Sequence, residues 1–395
     1  MIITAELAQQ IVDVIMPTVQ QNINIMNSAA IILGSGQKSR INTYHAGAKA
    51  VIETGRVVEI FPENAAEYPG ALPGLNWPIV LDRKVVGVVG ISGHPDTVRN
   101  TAQLVKMVTE LILERESMIA GFRANLQLRE QLIQWLLSDH YRENSRHITK
   151  LSSMLRFDLD LSRVVAVVNI QAILAEALLQ YGPHDLVTAR TRDRLTQLLE
   201  ASALMTDEDL FAFTDHELIL LKHFPAGAKS QEFYQWGREL VRLLEFPKEQ
   251  AEPCLGLGSC AGFPAELYRS YLEAGFARQH SPEAAPVASI YDYDILAVYL
   301  LSVPGALETC GALRALRKQI EQQLGFKYDM KNTIQVLLNH NLNVSRTAKA
   351  LFIHRNTLVF RMDKLKELTG LNPSQYLNHA ILCRMLFGIE KEEPG

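Results

Sequence analysis

The sequence predicts an α+β multidomain protein on three observations. Its 395 residues are more than one ordinary core encloses, so two or three domains are expected. Strand-like apolar runs alternate with helix-period segments through the N-terminal and central parts, whereas the C-terminal end carries helical spacing alone. Between the first two regions, Thr101 to Ser138 contains no proline and a single glycine, the composition of a long helix. The expected boundaries are 1–134 for an N-terminal domain with a helical arm, 135–310 for a middle α+β domain and 325–388 for a C-terminal all-α module.

Composition excludes several classes. Hydrophobic residues make up 48% of the chain, but no apolar run approaches the ~20 residues a spanning helix needs, so no membrane role is expected. The opening "MIITAELAQQIVDVIMPTVQQ" lacks the basic start and unbroken apolar stretch of a secretory leader. Cys254, Cys260, Cys310 and Cys383 fit neither a zinc knuckle nor a redox pair, and read as reduced thiols in a cytoplasmic protein.

In the N-terminal domain, "NINIMNSAAIILGSGQKSRINTYHAGAKAVIETGRVVEI" reads as a strand pair with a turn at Gly34 to Lys38, then a helix near Ala46 to Glu53. "WPIVLDRKVVGVVGISGHPDTVRN" reads as a hairpin turning at Asp82 to Lys84, with a sharp exit at Gly93. That order suits a small antiparallel sheet with flanking helices. Arg40 and His45 share one short connection and could bind a carboxylate. Pro95 opens a helix whose free N–H groups would hold a second anionic or polyhydroxy end.

Along the arm, Leu104, Val108, Leu111, Met118 and Phe122 recur at spacings of four and three, with Arg115 in the seam. Both a coiled coil with a second subunit and a core-facing amphipathic helix fit this pattern. In the middle domain, "SRVVAVVNIQ", "DLFAFTDHELILLKHF" and "CLGLGSCAGF" read as strands, separated by helices over Asp185 to Ala203 and Gln231 to Leu244. The glycines of "CLGLGSCAG" have no Walker lysine after them and are weak grounds for phosphate binding. No catalytic triad, zinc signature or dinucleotide-binding turn in context appears, so neither catalysis nor a cofactor is expected.

Charge is unevenly placed. Lys331 to Gly370 holds seven Lys or Arg against Asp363 and Glu367, a local +5 in a chain of net −4. Ile334, Leu337 and Leu338 mark one helix; Asn343 can cap a second, running to about Leu351; after "FIH" a third starts near Arg355 and stops at Gly370. Two short helices joined by about three residues, with Ala348 at their crossing, match a helix-turn-helix. Arg355 and Asn356, on the first turn of the third helix, have the chemistry to read guanine and adenine edges. Arg346, Lys349, Thr357, Arg361 and Lys364 suit phosphates. Many such motifs place glycine in the turn; Phe352 stands here, so a different turn conformation is expected.

These residues resemble the sugar diacid, or carbohydrate diacid, transcriptional regulators along nearly the whole chain. "HRNTLVFRMDKLKELTGLNP" is very close to the family's terminal motif, and "SRINTYHAGAKAVIETGRVVEI" with "NWPIVLDRKVVGVVGISGHP" looks like the two halves of its effector domain. The resemblance implies a PAS/GAF-like sensor, a degenerate diguanylate-cyclase-like middle domain and a C-terminal helix-turn-helix. It implies an effector pocket at Arg40, His45, Asn76, Gly93 and His94 for an acid such as glycerate, glucarate or galactarate; Phe360, which by helical spacing points away from the Leu358 stripe with Asn356, and His354, which opens the terminal motif, complete the DNA-facing set. Asn42 and Tyr44 stand where the family often has Gly and Phe, and "TDHEL" stands where an active cyclase has its glycines and acids. The expected protein is a cytoplasmic, homodimeric regulator, an activator of hydroxy-acid or sugar-diacid catabolism genes, with double-stranded DNA and a small acid as partners. A nucleotide-processing enzyme and a ligand-binding scaffold are the alternative readings.

Overall fold

The structure, a computed structural model, describes residues 3–182, 185–225, 227–246, 254–281, 285–324 and 329–387. The expected limits of the C-terminal module, 325 and 388, lie outside the described residues. The chain divides into two compact units, Met1–Asn125 and Leu126–Gly395, each described by itself.

The first unit opens with α1 (Ala5–Val19), a helix the strand-centred reading above does not include. Its signals are local: Thr4 accepts from Leu7 N as the N-cap, and Ala8, Ile11, Val12 and Ile15 repeat at helical spacing on the buried face. Then follow β1 (Ile23–Asn27), β2 (Ile32–Ser35), α2 (Ala46–Thr54), β3 (Val58–Ile60), β4 (Gly74–Leu81), β5 (Lys84–Ser92) and the 42-residue α3 (Pro95–Leu136). The strands form one antiparallel sheet in the order β2-β1-β5-β4-β3. Asp82 and Arg83, both left-handed, make the two-residue turn of the β4–β5 hairpin.

Period-2 alternation gives the sheet two buried faces. Ile23, Ile25, Leu75, Ile79, Val89 and Ile91 pack with α1 and with Val98, Ala102 and Val105 of α3. Met26, Ile32 and Val88, on the other face, pack with Ala48 and Val51 of α2. α3 therefore turns its Val98–Val105 side inward and leaves Leu104, Val108, Leu111, Met118 and Phe122 exposed. The helix does face the core, but through Val98, Ala102, Val105 and Leu113; the predicted seam faces solvent.

The second unit begins within α3, where Leu132, Ile133 and Leu136 enter a core with α4 (Ser145–Leu155). It continues as β6 (Arg163–Asn169), α5 (Gln171–Tyr181), α6 (Asp185–Ala201), β7 (Leu210–Phe213), β8 (Glu217–His223), α7 (Ser230–Leu243), β9 (Leu255–Ala261), α8 (Leu267–Gln279) and β10 (Val287–Ser289). The sheet order is β10-β9-β6-β8-β7, with β10 parallel to β9 and the other pairs antiparallel. The glycines of β9 serve close packing: a Cβ at Gly256 would lie 2.0 Å from Ala274 O, and one at Gly258 would lie 1.9 Å from Ser270 O. They admit α8 against the sheet, which accounts for their spacing without a phosphate.

The remaining helices are α9 (Tyr293–Ser302), α10 (Ala306–Thr309), α11 (Gly311–Leu324), α12 (Met330–Asn339), α13 (Val344–Ala350), α14 (Arg355–Thr369) and α15 (Leu377–Phe387). They share one core, in which Ile295, Leu296, Leu300, Leu313 and Leu316 meet Met330, Ile334, Leu365, Leu382 and Cys383. The helix-turn-helix thus rests on a bed of helices that precede it, and these join it to the middle domain.

Candidate effector pocket and nucleic-acid interface

On the α2 face of the first sheet, the register sets one cross-strand row of Ser35, Asn24, Gly90, Asn76 and Val58. Adjacent residues in such a row share a face, so two carboxamides flank a glycine that has no side chain. A Cβ at Gly90 would lie 2.9 Å from Asn76 Oδ1; Gly90 leaves that space open. Asn24 and Asn76 are 2% and 3% exposed, which makes their bonding decisive. Asn24 Oδ1 accepts from Ser35 Oγ at 2.7 Å and from Asn22 Nδ2 at 3.2 Å. The carboxamide of Asn76 has no hydrogen bond among the described residues and is not fully enclosed, so it is open to a ligand or to water.

His45 enters from the N-terminus of α2. It is the N-cap: Nδ1 accepts from Ala48 N at 3.2 Å, so the proton sits on Nε2 and that nitrogen is a donor. Burial, then the charge of Arg40, push its pKa down to about 4. His45 and Asn76 are neighbours, since a Cβ at Gly47 would lie 3.2 Å from His45 Cε1 and 3.1 Å from Asn76 Nδ2.

Arg40 ends a short 3-10 turn, Lys38–Arg40. Its Nη2 donates to Gly70 O at 2.7 Å, while Nη1 is buried with no partner. Desolvation lowers the Arg40 pKa, the signature of a cation short of counter-charge. Between Arg40 and His45 the backbone turns through Asn42 at φ +66, a left-handed conformation in which asparagine is enriched among non-glycine residues. The pocket so built offers one fixed cation, a neutral imidazole donor and carboxamides.

Gly93 and His94 lie at the outer end of β5. Gly93 has φ +141 and donates to Pro73 O at 2.9 Å; the His94 ring packs edge-on against Phe61, with Nδ1 3.7 Å from Asp96. The anion-binding helix start expected there is largely closed. Pro95 has no N–H, and the N–H groups of Thr97 and Val98 both bond His94 O. The structure joins Arg40, His45 and Asn76, and gives His94 other neighbours.

In the C-terminal module, Asn343 caps α13 as its sequence position suggests, Oδ1 accepting from Arg346 N at 3.0 Å. Ala348 faces the crossing with α14 as its sequence position suggests, and Thr347, at 0% exposure, is buried beside it. The turn corrects the expectation for Phe352. It adopts the left-handed conformation, φ +54, that glycine usually supplies: Ile353 N bonds Ala348 O and Phe352 N bonds Lys349 O, closing a Schellman motif. The side chain is 95% exposed, so it clears the turn by pointing to solvent.

Arg355, Asn356 and Thr357 are exposed on the first turn of α14, opposite buried Leu358 and Leu365. His354 is the N-cap, its Nδ1 accepting from Asn356 N at 3.2 Å. Arg346 and Lys349 are exposed on α13. Arg361 differs: its Nη1 donates to buried Thr333 Oγ1 at 2.7 Å and braces α14 against α12. Lys364 pairs with Glu367 at 2.5 Å and lies 6.0 Å from the Phe360 ring centroid.

Three family models match in chain order: sugar diacid recognition over residues 3–136, a GGDEF-like domain over 139–279 and the PucR C-terminal helix-turn-helix domain over 330–382. The chain is 31% identical to the carbohydrate diacid regulator of Escherichia coli over 95% of both chains. The protein belongs to the carbohydrate diacid regulator family. Two further relatives have no assigned role in their names: a Haemophilus influenzae protein, 27% identical over 92% of this chain and 93% of its own, and Bacillus subtilis YsfB, 24% identical over 92% of both.

As a carbohydrate diacid regulator, the chain keeps its GGDEF-like fold in the middle. Thr214–His216 forms the β7–β8 turn, which Arg192 holds by donating to Thr214 O at 2.7 Å, and Glu217 and Leu218 open β8. Glu217 is engaged by Arg278 at 3.4 Å. Sequence reasoning missed Asn24, Ser35 and Gly90; the signal was present as polar residues alternating with Ile23 and Ile25, but only strand register sets them beside Asn76.

Proposed function

We propose that this regulator is a cytoplasmic, homodimeric activator of hydroxy-acid or sugar-diacid catabolism genes, controlled by a small acid such as glycerate, glucarate or galactarate. One observation carries the reading: the buried, unpartnered Nη1 of Arg40 lies in the cluster that holds the unbonded carboxamide of Asn76. A carboxylate would supply the missing acceptor for Arg40, and hydroxyl groups would meet Asn76, Asn24 and His45 Nε2. Gly93 and His94 would border the entrance. Arg355 and Asn356 would read bases, with His354 and Phe360 beside them; Arg346, Lys349, Thr357 and Lys364 would contact phosphates, and Arg361 would set the angle of α14. The acid acts only by binding one arrangement of the dimer better than another.

The middle domain serves in this reading as a non-catalytic connector: "TDHEL" stands where an active cyclase has its glycines and acids, its turn backbone is bonded by Arg192, and its Glu217 is paired with Arg278. The test is calorimetric titration of the three acids into the wild type, Arg40→Gln and Asn76→Ala, with promoter fragments enriched from genomic DNA at two salt concentrations. Binding weakened roughly 10- to 100-fold by Arg40→Gln is expected. Log affinity for DNA should fall against log salt with a slope of about −3 per module, from Arg346, Lys349 and Lys364. Unchanged affinity in both variants would reject the pocket, salt-independent or absent enrichment would reject DNA binding, and turnover of GTP with magnesium would restore the enzyme reading.

A further inference from the structure

Six of the ten large apolar side chains exposed among the first unit's described residues lie on α3. Leu104 and Met107 are 61% and 58% exposed, Val108 and Leu111 40% and 67%, Met118 and Phe122 74% and 42%. Leu104, Leu111 and Met118 lie seven residues apart, as do Val108, Arg115 and Phe122, so the two series form the d and a lines of a heptad. As far as Leu113 the opposite side of the helix is committed to the sheet core, which fixes the outward direction of the seam over Leu104 to Leu111.

We propose that this seam is a self-association surface on which a second copy of the chain lies parallel and in register. This deepens the dimeric regulator reading and rests on it only for its purpose. Six large side chains at these exposures amount to roughly 600 Å² per protomer, about 1,200 Å² in a pair, the lower end of stable interfaces. The charge pattern is self-complementary. Arg115 occupies an a position and Glu114 the g position before it; in a parallel pair each Arg115 reaches Glu114 of the other copy. A single charge in an apolar seam weakens association and selects register, as a polar a-position residue does. An amphipathic partner of other sequence would need no such matched pair within one chain.

The experiment uses the full-length protein. Sedimentation at micromolar concentration should give a dimer for the wild type and a monomer for Leu111→Glu/Met118→Glu, with circular dichroism unchanged because both side chains face solvent. Leu104→Cys and Met118→Cys should each form a self-disulfide under mild oxidation, above the background of the wild-type thiols. A monomeric wild type, or a double variant that remains a dimer, overturns the proposal. Cross-linking only in a mixture of Leu104→Cys and Phe122→Cys overturns the parallel register. A dimer cross-linked at both positions that binds no DNA rejects the regulator reading and leaves the seam intact; a monomer that binds DNA does the reverse.

Discussion

His45 is a neutral imidazole at pH 7, because burial and the nearby Arg40 charge hold its pKa at about 4 against an ordinary 6.5. The unfolded chain therefore binds the proton more readily between those values, and the sign follows: stability is full above about pH 6.5 and is lost as pH falls toward 4. The expected loss is on the order of 3 kcal/mol, with an abrupt flattening in His45→Asn, read by urea unfolding of the sensor at a series of pH values. Phe352 presents the converse case, an exposed side chain on a costly backbone. Phe352→Gly should stabilise the helix-turn-helix by up to about 1 kcal/mol, since relief of the left-handed strain exceeds the added flexibility of the unfolded chain. Slower amide exchange across α13 and α14 would report it; faster exchange would mean that Phe352 makes a contact its exposure does not suggest.

At the scale of elements, one buried carboxylate links the middle sheet to the helices beneath the DNA-facing module. Glu273 of α8 is fully buried and accepts from Ser259 N on β9 at 2.8 Å and from Gly311 N at the start of α11 at 3.2 Å. Burial holds its pKa above the usual carboxylate range, despite these donors. Glu273→Ala leaves two N–H groups without an acceptor and should cost about 2–5 kcal/mol, measured by chemical denaturation, with the loss concentrated where α11 meets β9. For this group the folded state holds the proton longer than the unfolded chain. Its pH effect is thus opposite to that of His45, and stability falls as pH rises above the ordinary carboxylate value.

For the whole molecule, the core that supports the helix-turn-helix is assembled from residues well outside it. Ile295, Leu296, Leu300, Leu313 and Leu316 are buried against α12, α14 and α15. A fragment of residues 329–395 would expose the leucines that these cover and should be poorly folded, whereas one beginning near 290 should retain helical content and cooperative melting. Comparative circular dichroism and amide exchange decide the matter: equal protection in both fragments would mean that the motif folds alone. The same coupling gives a physical route from the middle domain to DNA, through packed helices rather than a loose linker.

The sequence by itself determined what depends on near neighbours along the chain. Asn343 as a cap, Gly370 as a stop, the helix from Ala46 and the hairpin at Asp82 are set by local bonding and periodicity, and all were legible. So were the basic module and the family, because the terminal motif and the two sensor halves are contiguous stretches. Only the tertiary structure decided what depends on register and burial. Asn24, Gly90 and Asn76 are separated by up to 66 and 14 positions in sequence, yet hydrogen bonding between β1, β5 and β4 makes them one row. The periodicity of α3 fitted either face; the sheet claimed Val98 and Val105, and so left Leu104 and Leu111 to solvent. Phe352 is misread from sequence because a bulky side chain disfavours the left-handed turn that the local Schellman bonds close, and only its exposure in the folded structure shows how the turn accommodates it.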